Sequence, residues 1–175
     1  MYFCGIRIYM LMKKYSLLFL SVFFIFACSD DKTDMPRLEL YSISLNGGDE
    51  DYSRNLKEIL PLSSGDYIDV SFLLNGNGAD LKTFVVKNEN TNFKTTLFFE
   101  GDQISDEFSN LSEGILGYRD DIRETWVTVK LKVKAAKKEK NTISFYLNSK
   151  APDCEGAVYH LDLETTTAPR VSEEE

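Results

Sequence analysis

Histidine, cysteine and tryptophan are scarce in this chain of 175 residues, which holds one histidine, three cysteines and one tryptophan. Each scarcity excludes something. Hydrolytic chemistry usually needs a general base beside its target, and a Ser-His-Asp triad could be built only on His160. His160 lies two residues before Asp162 in an alternating stretch, so both side chains share one strand face. A polar outer face explains that placement better than a catalytic pair. No CxxC and no cysteine–histidine cluster is present, so the usual zinc sites are excluded. The Asn-Gly-rich stretch Asn75–Asp80 follows a strand pattern, as phosphate loops do. It lacks the Lys-Ser/Thr ending, and a strand rather than a helix follows it. A tight turn accounts for it, since Asn and Gly tolerate positive φ. The carboxylates of Gly47–Tyr52 and Tyr118–Asp121 do not follow EF-hand spacing and read as solvated turns rather than calcium sites. Neither a cofactor nor a metal is expected, and no internal repeat of solenoid or propeller kind is present.

Long apolar runs are also few. The longest, Tyr15 to Ala27, holds only Ser16 and Ser21 as polar residues and follows Lys13 and Lys14. It has the length of a signal-peptide core and falls short of the ~20 residues a spanning helix needs. Ile25, Ala27 and Cys28 then resemble the lipobox of bacterial lipoproteins, although Phe26 is larger than that pattern prefers. The resemblance implies a signal peptide over residues 1–27, cut before a lipidated Cys28. An ordinary secretory signal or an uncut anchor is the competing reading. Met12, directly before the two lysines, makes a better start than Met1, so residues 1–11 read as an extension in front of the true start. Ser29, Asp30 and Asp31 resemble the acidic export tag of lipoproteins displayed on the outer face of certain Gram-negative outer membranes. Localisation is therefore expected at the outer membrane, facing the exterior, with the periplasm as alternative. Residues 28–37 form the lipidated cysteine and a polar tether.

Loss of residues 1–27 would remove three basic residues and no acid, taking the net charge from −8 to −11. An acidic balance argues against nucleic acid and against adhesion to an anionic membrane by charge alone. With Cys28 lipidated, Cys154 has no partner in the chain, and the domain must fold without a disulfide.

From Leu38 onward the hydrophobic period is mostly two, the signature of half-buried strands. Leu38–Leu45 alternates at Tyr41, Ile43 and Leu45; Gly65–Leu74 places Ile68, Val70, Phe72 and Leu74 on one face. Two further strands are expected around Phe84 and Leu97. In Glu124–Ala135, Val127, Val129, Leu131 and Val133 point one way, and Trp126, Thr128, Lys130, Lys132 and Lys134 the other. A basic turn leads to a strand beginning at Thr142, with Ile143, Phe145 and Leu147 inward, and Gly156–Thr165 supplies a last strand. Residues 105–121 suit neither period and read as a long connection with a short helix; residues 53–62 allow one or two helical turns before Pro61.

The expected fold is all-β: an immunoglobulin-like two-sheet antiparallel sandwich of about seven strands over residues 38–166, with a flexible acidic tail at 167–175. The hairpin from Trp126 to Lys150 resembles the final hairpin of bacterial immunoglobulin-like domains. The lipobox, Leu73–Lys87 and Phe145–Gly156 together resemble uncharacterised outer-membrane lipoproteins of gut-dwelling Gram-negative anaerobes. That family implies no catalytic residue.

The lysines at 130, 132, 134, 137, 138 and 140 are a basic run in an acidic chain. They protect a sheet edge or, with Trp126 stacking on a sugar ring, form a ligand patch of Trp126, Lys130, Lys132 and Lys134 for an anionic glycan. The expectation is a monomeric, non-catalytic binding or scaffolding module held to the membrane by its lipid, with an unidentified protein or glycan partner. The alternative is a glycan-binding accessory or glycan-active enzyme of a polysaccharide-uptake system.

Overall fold

The structure, a computed structural model, describes residues 35–88, 92–134 and 137–168. The signal segment, Cys28, most of the tether and the tail beyond Ala168 lie outside the described residues.

Eight strands follow the alternating stretches: β1 (Arg37–Leu45), β2 (Tyr67–Asn75), β3 (Leu81–Asn88), β4 (Phe93–Phe99), β5 (Ile115–Gly117), β6 (Glu124–Val133), β7 (Glu139–Ser149) and β8 (Ala157–Thr165). They form two four-stranded sheets, ordered β1-β2-β6-β4 and β5-β3-β7-β8. Every paired strand runs antiparallel to its neighbour. The seven long strands reproduce the order of a constant-type immunoglobulin domain, four on one sheet and three on the other. The added strand β5, from the β4–β6 connection, borders β3. It is the one strand the alternation misses, because three residues are too few to display a period.

Period two decides the layering. Ile68, Val70, Phe72 and Leu74 of β2 and Val127, Val129, Leu131 and Val133 of β6 are all buried, and face Phe84, Ile143, Phe145 and Leu147 of the second sheet. Phe72 bridges the layers, with ring centroids 4.7 Å from Phe145 and 6.1 Å from Phe84. A fully buried side chain of this size contributes about 1.5–3 kcal/mol by leaving water, so this aromatic centre is a main source of stability.

Three expectations need correction. Tyr41 was expected on the core face with Ile43 and Leu45. The pairing of β1 with β2 passes from Leu40↔Phe72 to Ser42↔Ser71, leaving Tyr41 as the extra residue of a β-bulge. The bulge changes the strand's parity: Leu38 and Leu40 pack against the core before it, Ile43 and Leu45 after it, and Tyr41 is turned to solvent. The return strand β7 starts at Glu139 rather than Thr142, so Glu139, Lys140 and Asn141 pair with β8 instead of turning the chain. The expected helical pieces are single 3-10 turns: Leu56–Glu58 in the β1–β2 connection, and Asp106–Phe108 and Leu111–Glu113 in the β4–β6 connection, which carries a further one at Gly101–Gln103. Gly114 closes the last of these at φ 74°, a left-handed conformation that glycine adopts without penalty.

The connections also manage sheet edges. Leu62, buried from the β1–β2 connection, donates its N–H to Glu164 O and accepts from Thr166 N, so it covers the free side of β8. Asn77 and Gly78, both at positive φ, turn the chain from β2 into β3, with Ala79 N donating to Gly76 O. The Asn-Gly-rich stretch is thus an inter-sheet turn.

Candidate binding face

On the outer face of the first sheet β1, β2, β6 and β4 all place side chains. Register sets its rows. Lys132 of β6 lies between Tyr67 of β2 and Lys94 of β4; Lys130 between Asp69 and Thr96; Thr128 between Ser71 and Phe98; and Trp126 beside Leu73. Trp126, Lys130 and Lys132 therefore project to one side, opposite the buried valines, while Lys134 follows the end of β6.

Aromatic residues from three strands join them. Tyr41 is 66% exposed, Phe98 49% and Trp126 46%. The bulge aims Tyr41 at Trp126, with ring centroids 4.9 Å apart and planes at 80°. The edge-to-face arrangement suits the two ring quadrupoles and fixes one edge of the indole while leaving much of it in water. Large apolar side chains usually face the core when a strand has one. Here both faces of β6 and β4 carry them, and Trp126 and Phe98 are left about half exposed.

The lysines are not equivalent. Lys130 is half-buried, with Nζ 3.6 Å from Asp69 Oδ2, 4.4 Å from the Tyr67 ring centroid and 5.5 Å from that of Phe98. A cation between two rings and a carboxylate is held in place. Lys130 thus organises the face rather than presenting a free charge. Lys94, Lys132 and Lys134 are exposed, and no ion pair joins them to any described residue. The edge-protection reading of this lysine run fails for β6, which is an interior strand hydrogen-bonded to both β2 and β4.

Tyr41, Tyr67, Phe98 and Lys94 are the members the sequence reading missed. Signals for two of them exist. Apolar residues of β1 switch from even positions, Leu38 and Leu40, to odd ones, Ile43 and Leu45, which is what a bulge at Tyr41 produces. Phe98 stands beside Phe99, and in a strand one of two adjacent rings must face outward.

Other polar clusters are engaged locally. Ser144 Oγ lies 2.9 Å from His160 Nδ1, but Ser144 is buried, and Asp162 accepts instead from Thr142 Oγ1 at 2.6 Å. These groups stabilise the outer face of the β7–β8 pair. His160 and Asp162 border a groove of about 550 Å³ with Leu56, Ile59 and Leu60. Asp51 accepts from the backbone N–H of Ile43 and of Ser53, which holds its carboxyl below the usual range. Asp80 accepts from Asp121 N and Arg123 Nε, with the same effect. Asp120 pairs with Lys150 at 2.5 Å. Among the described residues no group of three or more His, Cys, Asp or Glu side chains converges as a metal site would require. Cys154 is a free thiol at the β7–β8 turn, with Sγ 3.4 Å from Glu155 O.

The family described as a domain of unknown function, DUF5035, matches residues 28–165. The chain belongs to that family. No curated protein matches it. Among solved structures it is similar to a DUF4466 family protein from Parabacteroides merdae, at 12% identity and a TM-score of 0.43, covering 74% of this chain and 45% of that one. The chain thus spans less than half the length of that neighbour. It is also similar to BslA, a bacterial hydrophobin, at 14% identity and a TM-score of 0.37, covering 74% of this chain and 99% of that one.

Proposed function

We propose that this protein is a lipid-anchored, non-catalytic binding module of the outer membrane, and that the outer face of the β1-β2-β6-β4 sheet is its binding surface. The observation that carries the reading is the exposed aromatic cluster of Tyr41, Trp126 and Phe98, drawn from three strands and completed by a bulge whose effect is to turn Tyr41 outward. A bulge interrupts ladder hydrogen bonds, and such features recur where a side chain must be re-aimed. The lipobox-like Ile25, Ala27 and Cys28 support the anchor, and the family match begins at Cys28. Ser29, Asp30 and Asp31, which resemble the export tag of surface lipoproteins, support the location. An open sheet face suits adhesion to an extended partner, since small-molecule sites are concave.

The test compares the wild-type chain with the triple variant Tyr41→Ser, Trp126→Ser, Phe98→Ser on arrays of glycans and of peptides. The reading requires that the folded variant lose what the wild type binds. Full retention by the variant, or cleavage of any arrayed glycan by the wild type, overturns it.

A further inference from the structure

We propose that the partner of this face is an acidic polysaccharide, an inference that rests on the reading of the face as the binding surface. Three observations carry it.

Lys94 and Lys132 are direct cross-strand partners on the same face. Like charges directly opposite each other on an antiparallel pair destabilise the sheet. The chain has 28 acidic residues against 20 basic ones, so a nearby carboxylate would be the ordinary remedy. None is paired with either lysine among the described residues. Lys134, one residue past the end of β6 and lining a pocket with Lys94, adds a third exposed ammonium near the same end. Asp69, the carboxylate on the two lysine rows, is already held by Lys130. A net-acidic protein therefore presents a positive end that its own side chains leave unneutralised, and a ligand of negative charge satisfies it.

The other end of the face carries the exposed rings of Trp126 and Phe98, whose flat faces suit the apolar C–H side of a sugar ring. Six residue steps along β6 lead from Trp126 to Lys132, a span of about 20 Å. A face of that length fits several units of an extended polymer better than one small molecule. The cations at the lysine end are point charges suited to spaced carboxylates; the one arginine on the face, Arg37 of β1, stands at the opposite end, level with Asn75 and Glu124.

The experiment is affinity electrophoresis of the full chain, purified in detergent, through gels containing polygalacturonate or dextran. Polygalacturonate should retard the protein and dextran should not. The retardation should fade near 1 M salt, where the screening length falls to about 3 Å. The variant Lys94→Gln, Lys132→Gln, Lys134→Gln should weaken binding about tenfold, since each 1.4 kcal/mol lost is a factor of ten. The corresponding triple arginine variant should retain it, and the circular dichroism spectra of both should match the wild type; Lys134→Gln alone, at the strand end, gives a partial loss if the triple variant does not fold. Equal retardation by dextran, abolished by Trp126→Ala, would overturn the acidic ligand and leave the binding face standing. Absence of retardation in both gels, or full retention by the glutamine variant, would overturn the inference outright.

Discussion

Tyr41 stands edge-on to Trp126, their ring centroids 4.9 Å apart, although the two residues lie on strands separated by β2. The extra residue of the β1 bulge makes the approach possible, because a regular strand in phase with Ile43 and Leu45 would have sent Tyr41 into the core. The contact links local backbone irregularity to the composition of a surface.

Replacing Tyr41 by Ala should leave the fold intact and cost at most about 1.5 kcal/mol, the upper value for an aromatic pair beyond its buried area. Trp126 is the sole tryptophan, so its emission reports this one site. A red shift on mutation is the expected result; an unchanged spectrum would mean that the rings do not meet in solution.

Tyr118 illustrates the opposite case, a polar atom whose removal helps. It is buried, its hydroxyl makes no hydrogen bond to any described residue, and burial pushes its phenol well above the usual tyrosine value of 10. Tyr118→Phe should be neutral or stabilising by about 1 kcal/mol at pH 7, because an unpaired buried polar group carries a desolvation cost. In the wild type the unfolded chain loses the phenolic proton before the folded one, so stability falls as pH rises above 10. The variant should show a shallower alkaline limb in melts taken across that range.

Asp80 ties the β2–β3 turn to the segment before β6 by accepting from Asp121 N and Arg123 Nε. The Asp121 N–H, and then the Arg123 side chain, lower its pKa below the ordinary 3.8. A depressed carboxylate stabilises the fold above the unfolded value, and the contribution is lost as pH falls below 3.8 toward the folded value. Asp80→Asn should therefore lower the melting temperature at pH 7, with the difference from wild type shrinking on acidification. A constant difference at all pH values would show that the carboxylate's charge plays no part.

Alternation made much of the sandwich legible. Seven strands and the inward sets of β2, β6, β7 and β8 follow from period two, since residues two apart must share a face. What escaped was whatever breaks the period. The bulge at Tyr41 inverts parity in mid-strand, and β5 is too short to show one. The place of β6 inside its sheet depends on long-range pairing that no local pattern encodes, which is why its lysines read as edge protection. Three members of the candidate patch, Trp126, Lys130 and Lys132, were visible on β6 because one strand displays them in sequence order. Tyr41, Tyr67, Phe98 and Lys94 belong to it only through register with other strands.

The anchor is testable independently of the domain. Cys28→Ala should abolish incorporation of labelled fatty acid and leave uncut precursor in the cell. Labelling that persists in the variant would show that the acceptor is not Cys28.

The two faces of β6 should respond oppositely to mutation. Val129 and Leu131 are fully buried, so truncation to Ala leaves a cavity. Leu131→Ala should cost roughly 2–5 kcal/mol and Val129→Ala somewhat less. Lys132 is exposed and opposes Lys94. Lys132→Glu converts a repulsive cross-strand pair into an attractive one and should stabilise the fold by about 0.2–1 kcal/mol. High salt should erase the gain, since exposed charges are screened within a few ångströms near 1 M. Chemical denaturation with urea, which leaves ionic strength unchanged, measures both effects. A destabilising Lys132→Glu would mean that the lysine already has an acidic partner in solution. The sheet would then not be holding an unneutralised pair, and the stability it gives up at Lys94 and Lys132 would need no external anion to account for it.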